Sequence, residues 1–583
     1  MAFATLNECL RYGASHHFRE DAFLVREAPG RVRAVSTREH YHQARLLTLG
    51  LHAMDIKKGD RVAIVSENRY EWALADMAVL FAGAVVVPLY PNASDEQWLY
   101  ILKDSGAKAA FVSNRALFSR FVSLRGSLPD LKHVIGFDRL GAENGQDVLN
   151  LDDVVAKGRP LWEQNQDLHR QLLEVTAGDL ATLVYTSGTT GEPKGVMLTH
   201  GNLAANLQAT VERKNVHRED VALSFLPLCH IFERLTDYCY MFTGASIAHV
   251  PDPKLIPDYI REIRPSVFAA VPRFYEKLYD EILNRSSKGW KAAVATWAFR
   301  KASAHAAFSA NGDEDGSEGF GYRAAEIFVF SKIRKIFDPR LRFMISGGAP
   351  LNPRIAEFFY GIGIPILPGY GLTETAPVLC LNPHHRIKFD TVGPPLRGVD
   401  IRIAPDGEIL AKGANVMKGY WNKEEATREA FTEDGWLKTG DIGELDKDSY
   451  LRITGRKKDL IVTAGGKNVA PVALEHRLTQ SPYVEQAAVF GDQRKFISAL
   501  VVPKADALRK KGIADAGSLQ AYALIEKDLA SRMADLSDYE QVKKFTLLRE
   551  PFSVEDGTLT PTMKLRRREL LKKYADVIDS MYR

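Results

Sequence analysis

The stretch YTSGTTGEPKG, residues 185–195, decides how this chain is read. It gathers Thr186, Ser187, Thr189 and Thr190, the glycines Gly188 and Gly191, and the cation Lys194 into one loop. Residues 180–185 before it form an apolar, β-like run, and 195–198 after it read as a second strand. Residues 199–202 read as the start of a helix. A strand–loop–strand hairpin of this composition offers backbone N–H groups, hydroxyls and one cation to a phosphate chain. It is not a Walker loop, which needs Gly directly before the Lys and Ser or Thr directly after; here the neighbours are Pro193 and Gly195.

Outward from the hairpin, strands and helices alternate. On its N-terminal side, 61–65, 84–89 and 109–112 read as strands, with helices over 70–81 and from the Ser94 cap to 102. On its C-terminal side, 221–225, 245–250 and 267–271 read as strands, with helices over 233–242 and 257–263. Continuous apolar strands between helices mean parallel pairing with both faces covered. The expected class is therefore α/β, a large N-terminal domain of two packed mixed or parallel sheets with flanking helices and a cleft between them.

Two stretches break the alternation. Residues 285–338 are helical and basic, carry Trp290, Trp297 and Phe299, and enclose the polar insert NGDEDGSEG. This stretch reads either as a membrane-surface or lipid-entry element or as a surface hairpin whose aromatics pack inward. The lack of a continuous apolar face at helical period favours the hairpin. Residues 399–453 hold short segments separated by Pro405-Asp406-Gly407, Asp434-Gly435 and Asp446-Lys447-Asp448, the pattern of a small antiparallel β unit. A boundary near Lys458 leaves 1–457 as the N-terminal domain and 458–583 as a smaller α+β C-terminal domain, read as a mobile lid.

Composition narrows the function classes. A chain of 583 residues carrying a net charge of only +4 does not have the balance of a bulk nucleic-acid binder. Cys9, Cys229, Cys239 and Cys380 form no CxxC pair, which points to a reducing, cytoplasmic setting and away from a zinc site. The first residues lack the basic flank and apolar core of a signal peptide. The longest apolar run, 77–87, falls short of the roughly 20 residues a membrane span needs, so membrane contact would be peripheral.

Six further strings follow the hairpin in order: PLCHIFER (227–234), SGGAPL (346–351), GYGLTE (369–374), KTGD (438–441), GRKKDLIVTAGGKNVAP (455–471) and LTPTMK (559–564). With them the chain resembles the AMP-forming acyl-CoA synthetases of the adenylate-forming superfamily along nearly its whole length, and among these the long-chain fatty acyl branch. The resemblance implies a two-step reaction. A fatty acid carboxylate attacks the α-phosphate of ATP and expels pyrophosphate; the thiol of coenzyme A then attacks the acyl adenylate and expels AMP. No enzyme nucleophile is needed, so catalysis rests on positioning and charge stabilisation.

What the resemblance implies can be carried residue by residue. Thr186, Ser187, Gly188, Thr189, Thr190, Gly191 and Lys194 hold the β- and γ-phosphates. Glu374 is the expected Mg2+ ligand, joined by Thr186. Tyr370, within Gly369, Gly371 and Thr373, stacks on adenine, and Gly348, Ala349 and Pro350 edge it. Asp441 accepts from the ribose hydroxyls, an acceptor's role, with Arg456 assisting. His230 borders the acyl carboxylate. Lys564 is the catalytic lysine of adenylation. Lys458 is the hinge about which the small domain turns, bringing Gly465, Gly466 and Lys467 to the coenzyme A tunnel. Arg566, Arg567 and Arg568 either meet coenzyme A phosphates or line a solvated helix. The acyl tail is expected among 228–240, 267–274 and the SGGAP segment.

Three alternatives stand beside this reading. A fatty acyl-AMP ligase would load a carrier protein; against it, 455–471 has no insertion and keeps Gly465-Gly466. A non-catalytic nucleotide- or lipid-binding member would be expected to lose Lys564, Glu374 or Asp441, and all are present. A luciferase-like oxygenase shares the fold. The oligomeric state stays open, a homodimer being one option.

Overall fold

The computed structural model describes residues 2–140, 149–164, 174–186, 192–286, 290–310, 320–553, 555–559 and 565–583. Two eight-stranded sheets dominate. The first runs in the order Gly419–Tyr420, Lys194–Thr199, Leu180–Thr186, Val85–Leu89, Arg61–Val65, Ala109–Val112, His133–Gly136, Leu149–Asn150. The second runs Val378–Leu381, Ile366–Gly371, Phe343–Ser346, Val267–Ala270, Val221–Ser224, Ser246–His249, Phe23–Ala28, Arg31–Val35. Central strands pair in parallel, as their unbroken apolar runs require. Antiparallel pairing enters at the Leu180–Thr186/Lys194–Thr199 hairpin, at Val378–Leu381 and at Phe23–Ala28/Arg31–Val35, so both sheets are mixed.

Internal contacts divide the chain into two units. One comprises 1–402, 410–439 and 445–452; the other comprises 403–409, 440–444 and 453–583. A four-stranded sheet of Val399–Ile403, Glu408–Gly413, Leu437–Leu445 and Leu451–Arg456 fills the stretch expected to be a small β unit and contributes residues to each.

Inside the large unit, the helix Tyr70–Phe81 is buried on every side except at Glu71, matching a sequence apolar all round. It carries one charge inward. Asp76 accepts from Tyr238 Oη at 2.6 Å and pairs with Arg234, whose Nη1 donates to Thr182 Oγ1 at 2.8 Å. Arg234 and Asp76 side chains are 1% and 3% exposed. This cluster joins Tyr70–Phe81, the helix Ile231–Thr243 and the hairpin strand Leu180–Thr186.

Thr199 caps the helix His200–Lys214 in a reciprocal box with Asn202, placing the chain's exit from the hairpin. His200, in the first turn, is fully buried, and among the described residues neither ring nitrogen has a hydrogen-bond partner. Burial lowers its pKa to about 4 from the ordinary 6.5. The folded protein therefore refuses a proton that the unfolded chain accepts, and stability is lost as pH falls from 6.5 toward 4. The expected slope from this one group is about 1.4 kcal/mol per pH unit. Melting curves across that window should be flatter for His200→Leu than for the parent protein.

In the smaller unit, a three-stranded sheet of Val484–Phe490, Ile497–Pro503 and Val542–Leu547 is covered on both faces. Ala487 and Val489 face the helices Pro471–Thr479 and Leu519–Met533, while Ala488 and Phe490 face Leu570, Ile578 and Met581. Arg567 turns inward to Glu475 at 2.6 Å, whereas Arg566 and Arg568 are exposed. The arginine run is thus not one basic face, since Glu475 draws its middle member into the core.

The stretch 285–338 is helical as expected: Trp290–Ala310, Phe320–Ala325, a π turn Glu326–Phe330 and Ser331–Phe337. The polar insert at 311–319 lies outside the described residues. Phe299 packs inward, its ring centroid 5.0 Å from that of Phe358. Trp297, Phe320 and Phe328 do not; they are exposed. Of the aromatics named from the sequence, Phe299 meets the expectation of inward packing and Trp297 does not. The π turn adds a residue to the helical repeat, so a regular 3.6-residue period does not describe which side chains share a face.

Candidate active site

The hairpin strands pair from Leu180↔Thr199 to Thr186↔Lys194 with one register shift between Leu180 and Thr182, which sets Thr186 directly across from Lys194. Gly195 is dictated by packing: a Cβ there would fall 2.9 Å from the Tyr185 ring. Tyr185 is itself fixed by donating to Asp104 Oδ2 at 2.6 Å.

A short strand then lies along the hairpin. Gly419 pairs with Met197 and Tyr420 with Val196, and Trp421 N–H donates to the Gly195 carbonyl at 2.8 Å. Asn202 donates to the carbonyls of Ala414 and Val416, both at 2.8 Å, so the capping residue also anchors this segment. Met417 N–H donates to the carbonyl of Glu374 at 2.8 Å, joining the GYGLTE loop to the same structure.

These contacts converge on Tyr420. Its hydroxyl donates to Glu374 Oε1 at 2.8 Å, and the Lys194 ammonium sits 5.0 Å from its ring centroid. Burial first, and then the Glu374 charge, hold the phenol well above its ordinary pKa, so it stays a neutral donor. One side chain thus sets a carboxylate at its edge and a cation at its face. Chemically, a cation at one face and a carboxylate at the edge can serve phosphate oxygens and a hard metal ion.

Gly369, Tyr370 and Gly371 lie on the strand Ile366–Gly371, paired with Leu381, Cys380 and Val378. A Cβ on Gly371 would fall 1.8 Å from the Pro377 carbonyl oxygen, so only glycine lets the strand turn into Thr373–Thr375. Gly348, Ala349 and Pro350 form an exposed loop, with Gly348 beside Val271. A Cβ on Gly347 would meet the Phe232 ring at 2.9 Å, which brings SGGAP against HIFER. Behind them Phe225, Phe268 and Phe274 cluster at centroid distances of 5.2 to 5.9 Å. The segments expected around an acyl tail are therefore neighbours, with an aromatic cluster beside them.

His230 does a local job. It caps the helix Ile231–Thr243, its Nδ1 accepting from Phe232 N–H at 3.2 Å, which leaves the ring proton on Nε2. Glu233, next in the motif, is buried and accepts from Phe225 N–H at 3.0 Å; burial and nearby Asp237 push its carboxyl well above the usual range.

In the smaller unit, Arg456 Nε pairs with Asp441 at 3.0 Å, and Asp441 is buried. Lys457 pairs with Asp406 and Glu408 at 2.6 and 2.7 Å, while Lys458 is exposed in the same short 3-10 turn. Gly465, Gly466 and Lys467 form the turn between Ile461–Val462 and Asn468–Val469. Ser187, Gly188, Thr189, Thr190, Gly191 and Lys564 lie outside the described residues.

Residues 13–421 match the family described as AMP-binding enzyme, and 458–583 match the AMP-binding enzyme C-terminal domain. The chain belongs to the AMP-binding enzyme family. Among AMP-binding enzymes it is 37% identical over 570 residues to the long-chain-fatty-acid–CoA ligase FadD15 of Mycobacterium bovis, covering 94% of this chain and 92% of that one. It is 30% identical over 592 residues to the long-chain-fatty-acid–CoA ligase ACSBG2 of Xenopus laevis, covering 94% and 80%. Its fold is similar to that of the A domain of carboxylic acid reductase from Segniliparus rugosus in complex with AMP and a co-purified carboxylic acid. There the TM-score is 0.73 at 22% identity, over 99% of this chain and 94% of that one.

The chain has Lys194 and Glu374 beside one short strand, with Thr186 paired across from Lys194. That strand carries the residue that sequence reasoning missed. Tyr420 sits in Lys-Gly-Tyr-Trp, which looks like an ordinary polar-to-aromatic turn. The only local signal is Gly419 before two aromatics, a strand too short for periodicity to detect.

Proposed function

We propose that this protein is an AMP-forming long-chain fatty acid–CoA ligase, which activates a fatty acid with ATP and passes the acyl group to coenzyme A. The observation that carries the reading is Lys194 and Glu374 set on one phenol, Tyr420. The names of the relatives supply the long-chain class and the thiol acceptor.

In the first half-reaction a carboxylate oxygen bonds to the α-phosphorus, and the bond to the pyrophosphate oxygen breaks. Lys194 and the hydroxyls from Thr186 to Thr190 hold the β- and γ-phosphates. Tyr370 stacks on the adenine. Gly348, Ala349 and Pro350 border it. His230 borders the substrate carboxylate, and Lys564 spans that carboxylate and the α-phosphate. In the second half-reaction the thiol sulfur bonds to the acyl carbon and AMP leaves. Residues 1–457 form the adenylating domain. Residues 458–583 turn about Lys458, withdraw Lys564, and bring Gly465-Gly466-Lys467 to the thiol. Asp441 and Arg456 serve the ribose and phosphate. The match of a separate C-terminal family from residue 458 supports that division.

Mg2+ fits the donor set. Glu374 offers a carboxylate whose second oxygen is not used by Tyr420, and Thr186 offers a hydroxyl. Substrate phosphates would supply the remaining ligands, which is how Mg2+ usually binds. Bound there, the ion would neutralise phosphate charge. Tyr420→Phe should raise the Mg2+ concentration for half-maximal rate roughly tenfold, the value of a hydrogen bond to a charged acceptor. Glu374→Gln should raise it further. A magnesium titration of pyrophosphate release reads both.

Among the described residues no helix is long and apolar enough to cross a membrane. The cytoplasmic setting belongs to the proposal on the ground that all four cysteines are free and buried. The test is pyrophosphate and AMP release with ATP, Mg2+ and acids from acetate to oleate, with and without coenzyme A. Turnover on long acids that requires coenzyme A is the expected result. Release that stops near one equivalent with or without coenzyme A would instead favour a carrier-loading ligase.

A further inference from the structure

We propose that Asn68 is a positioning residue for adenylation, holding the turn that carries His230 against the substrate carboxylate; the inference rests on the ligase reading. Asn68 lies between the strand Arg61–Val65 of the first sheet and the helix Tyr70–Phe81, and it is 5% exposed. The turn it grips lies just past Val221–Ser224, a strand of the second sheet. Its Nδ2 donates to the Leu226 carbonyl at 2.6 Å, and its Oδ1 accepts from Leu228 N–H at 3.0 Å. One side-chain amide therefore spans Pro227 as a neighbouring strand would, linking the first sheet to the second at this point.

The two bonds fix which way the amide points, because a carbonyl only accepts and an N–H only donates. Pro227 between them has no N–H and a fixed φ, so Leu226 is held to extended backbone. The rest of the turn is tied to its own helix. Phe225 N–H donates to Glu233 Oε1 at 3.0 Å, and His230 N–H donates to the Pro227 carbonyl at 2.9 Å. His230 follows two residues after Leu228 and caps Ile231–Thr243. The turn is thus gripped from behind by Glu233 and from the first sheet by Asn68.

Aspartate has the same shape as asparagine but makes both bonds in only one protonation state. Ionised, it cannot donate to the Leu226 carbonyl and sets a negative oxygen against it; protonated, it donates and accepts as asparagine does. Burial raises the pKa of such a carboxyl. The ionic neighbours are Glu67, which accepts from Ser113 Oγ at 2.6 Å, and Arg69, paired with Glu71 and Asp138 at 2.7 and 2.9 Å; Glu233 and His230 belong to the turn itself. All of these are common to parent and variant, so a ratio of their rates reports the introduced carboxyl. Leucine makes neither bond at any pH. A residue that only stabilised the fold would not give folded protein whose rate returns as its replacement takes up a proton.

The test combines oleate-dependent pyrophosphate release with amide hydrogen exchange, both on the full-length protein. Asn68→Leu should lower kcat by roughly tenfold to a hundredfold at every pH, the cost of a small misplacement, with the KM for ATP within a few-fold of the parent's. Asn68→Asp should lose as much near pH 8 and regain at least about threefold relative to the parent near pH 6. Exchange of Leu228 N–H should quicken roughly tenfold in Asn68→Leu while Tyr70–Phe81 stays protected. Unchanged exchange at Leu228, a kcat equal to the parent's, or an Asn68→Asp rate ratio that does not move with pH would each overturn the proposal. So would loss of protection throughout Tyr70–Phe81, which would make Asn68 a support of the fold alone. A parent that releases no pyrophosphate with any acid would sink the ligase reading and this inference with it, whereas failure of the Asn68 grip leaves parent turnover intact.

Discussion

Arg234→Ala is expected to lower the stability of the large unit by about 3–5 kcal/mol, the usual cost of removing one partner from a buried ion pair. Asp76 would be left 3% exposed with only the Tyr238 hydroxyl, and burial would drive its carboxyl to take up a proton. Thr182 would lose its donor on the strand that leads into the phosphate hairpin. The readout is thermal melting, with a Tm lower by at least about 5 °C. The double variant Asp76→Leu/Arg234→Met should recover much of the loss, because a buried pair replaced by apolar groups costs far less than a pair cut in half. Equal losses in single and double variants would show that Arg234 acts by volume and not by charge.

Lys564→Ala is expected to slow adenylation by about 10²–10³-fold while leaving acyl transfer from supplied acyl adenylate within a few-fold. The asymmetry follows from chemistry. Negative charge gathers between the carboxylate and the α-phosphate only in the first half-reaction, so a point cation has work to do only there. Acetylation of the same lysine would remove that charge and should give the same split. Separate assays of pyrophosphate release and of AMP release from acyl adenylate distinguish the two steps. A comparable loss in both would remove Lys564 from its proposed role.

Much of this architecture could be read from residue order because burial leaves a pattern. Strands such as Arg61–Val65 and Val85–Leu89 are apolar without alternation, and both prove to be central and parallel. The hairpin could be read because its turn chemistry separates two β runs. The inward charges could not. Arg234, Glu233 and Lys214 look like solvent-facing residues of amphipathic helices, yet all three are buried. Each depends on partners distant in sequence, and no local period reports a partner. Tyr420 escaped notice for a related reason: its meaning comes from Lys194 and Glu374, which only the folded chain brings beside it. In Phe320–Phe337 the π turn breaks the repeat on which any helical-face argument depends.

The most direct test of the central claim uses oleate labelled with oxygen-18 in its carboxylate, turned over with ATP, Mg2+ and coenzyme A. The account predicts that AMP acquires the label and pyrophosphate does not. The carboxylate oxygen that bonds to the α-phosphorus stays there when the thiol takes the acyl carbon. Unlabelled AMP, or formation of ADP and phosphate, would contradict an acyl adenylate intermediate.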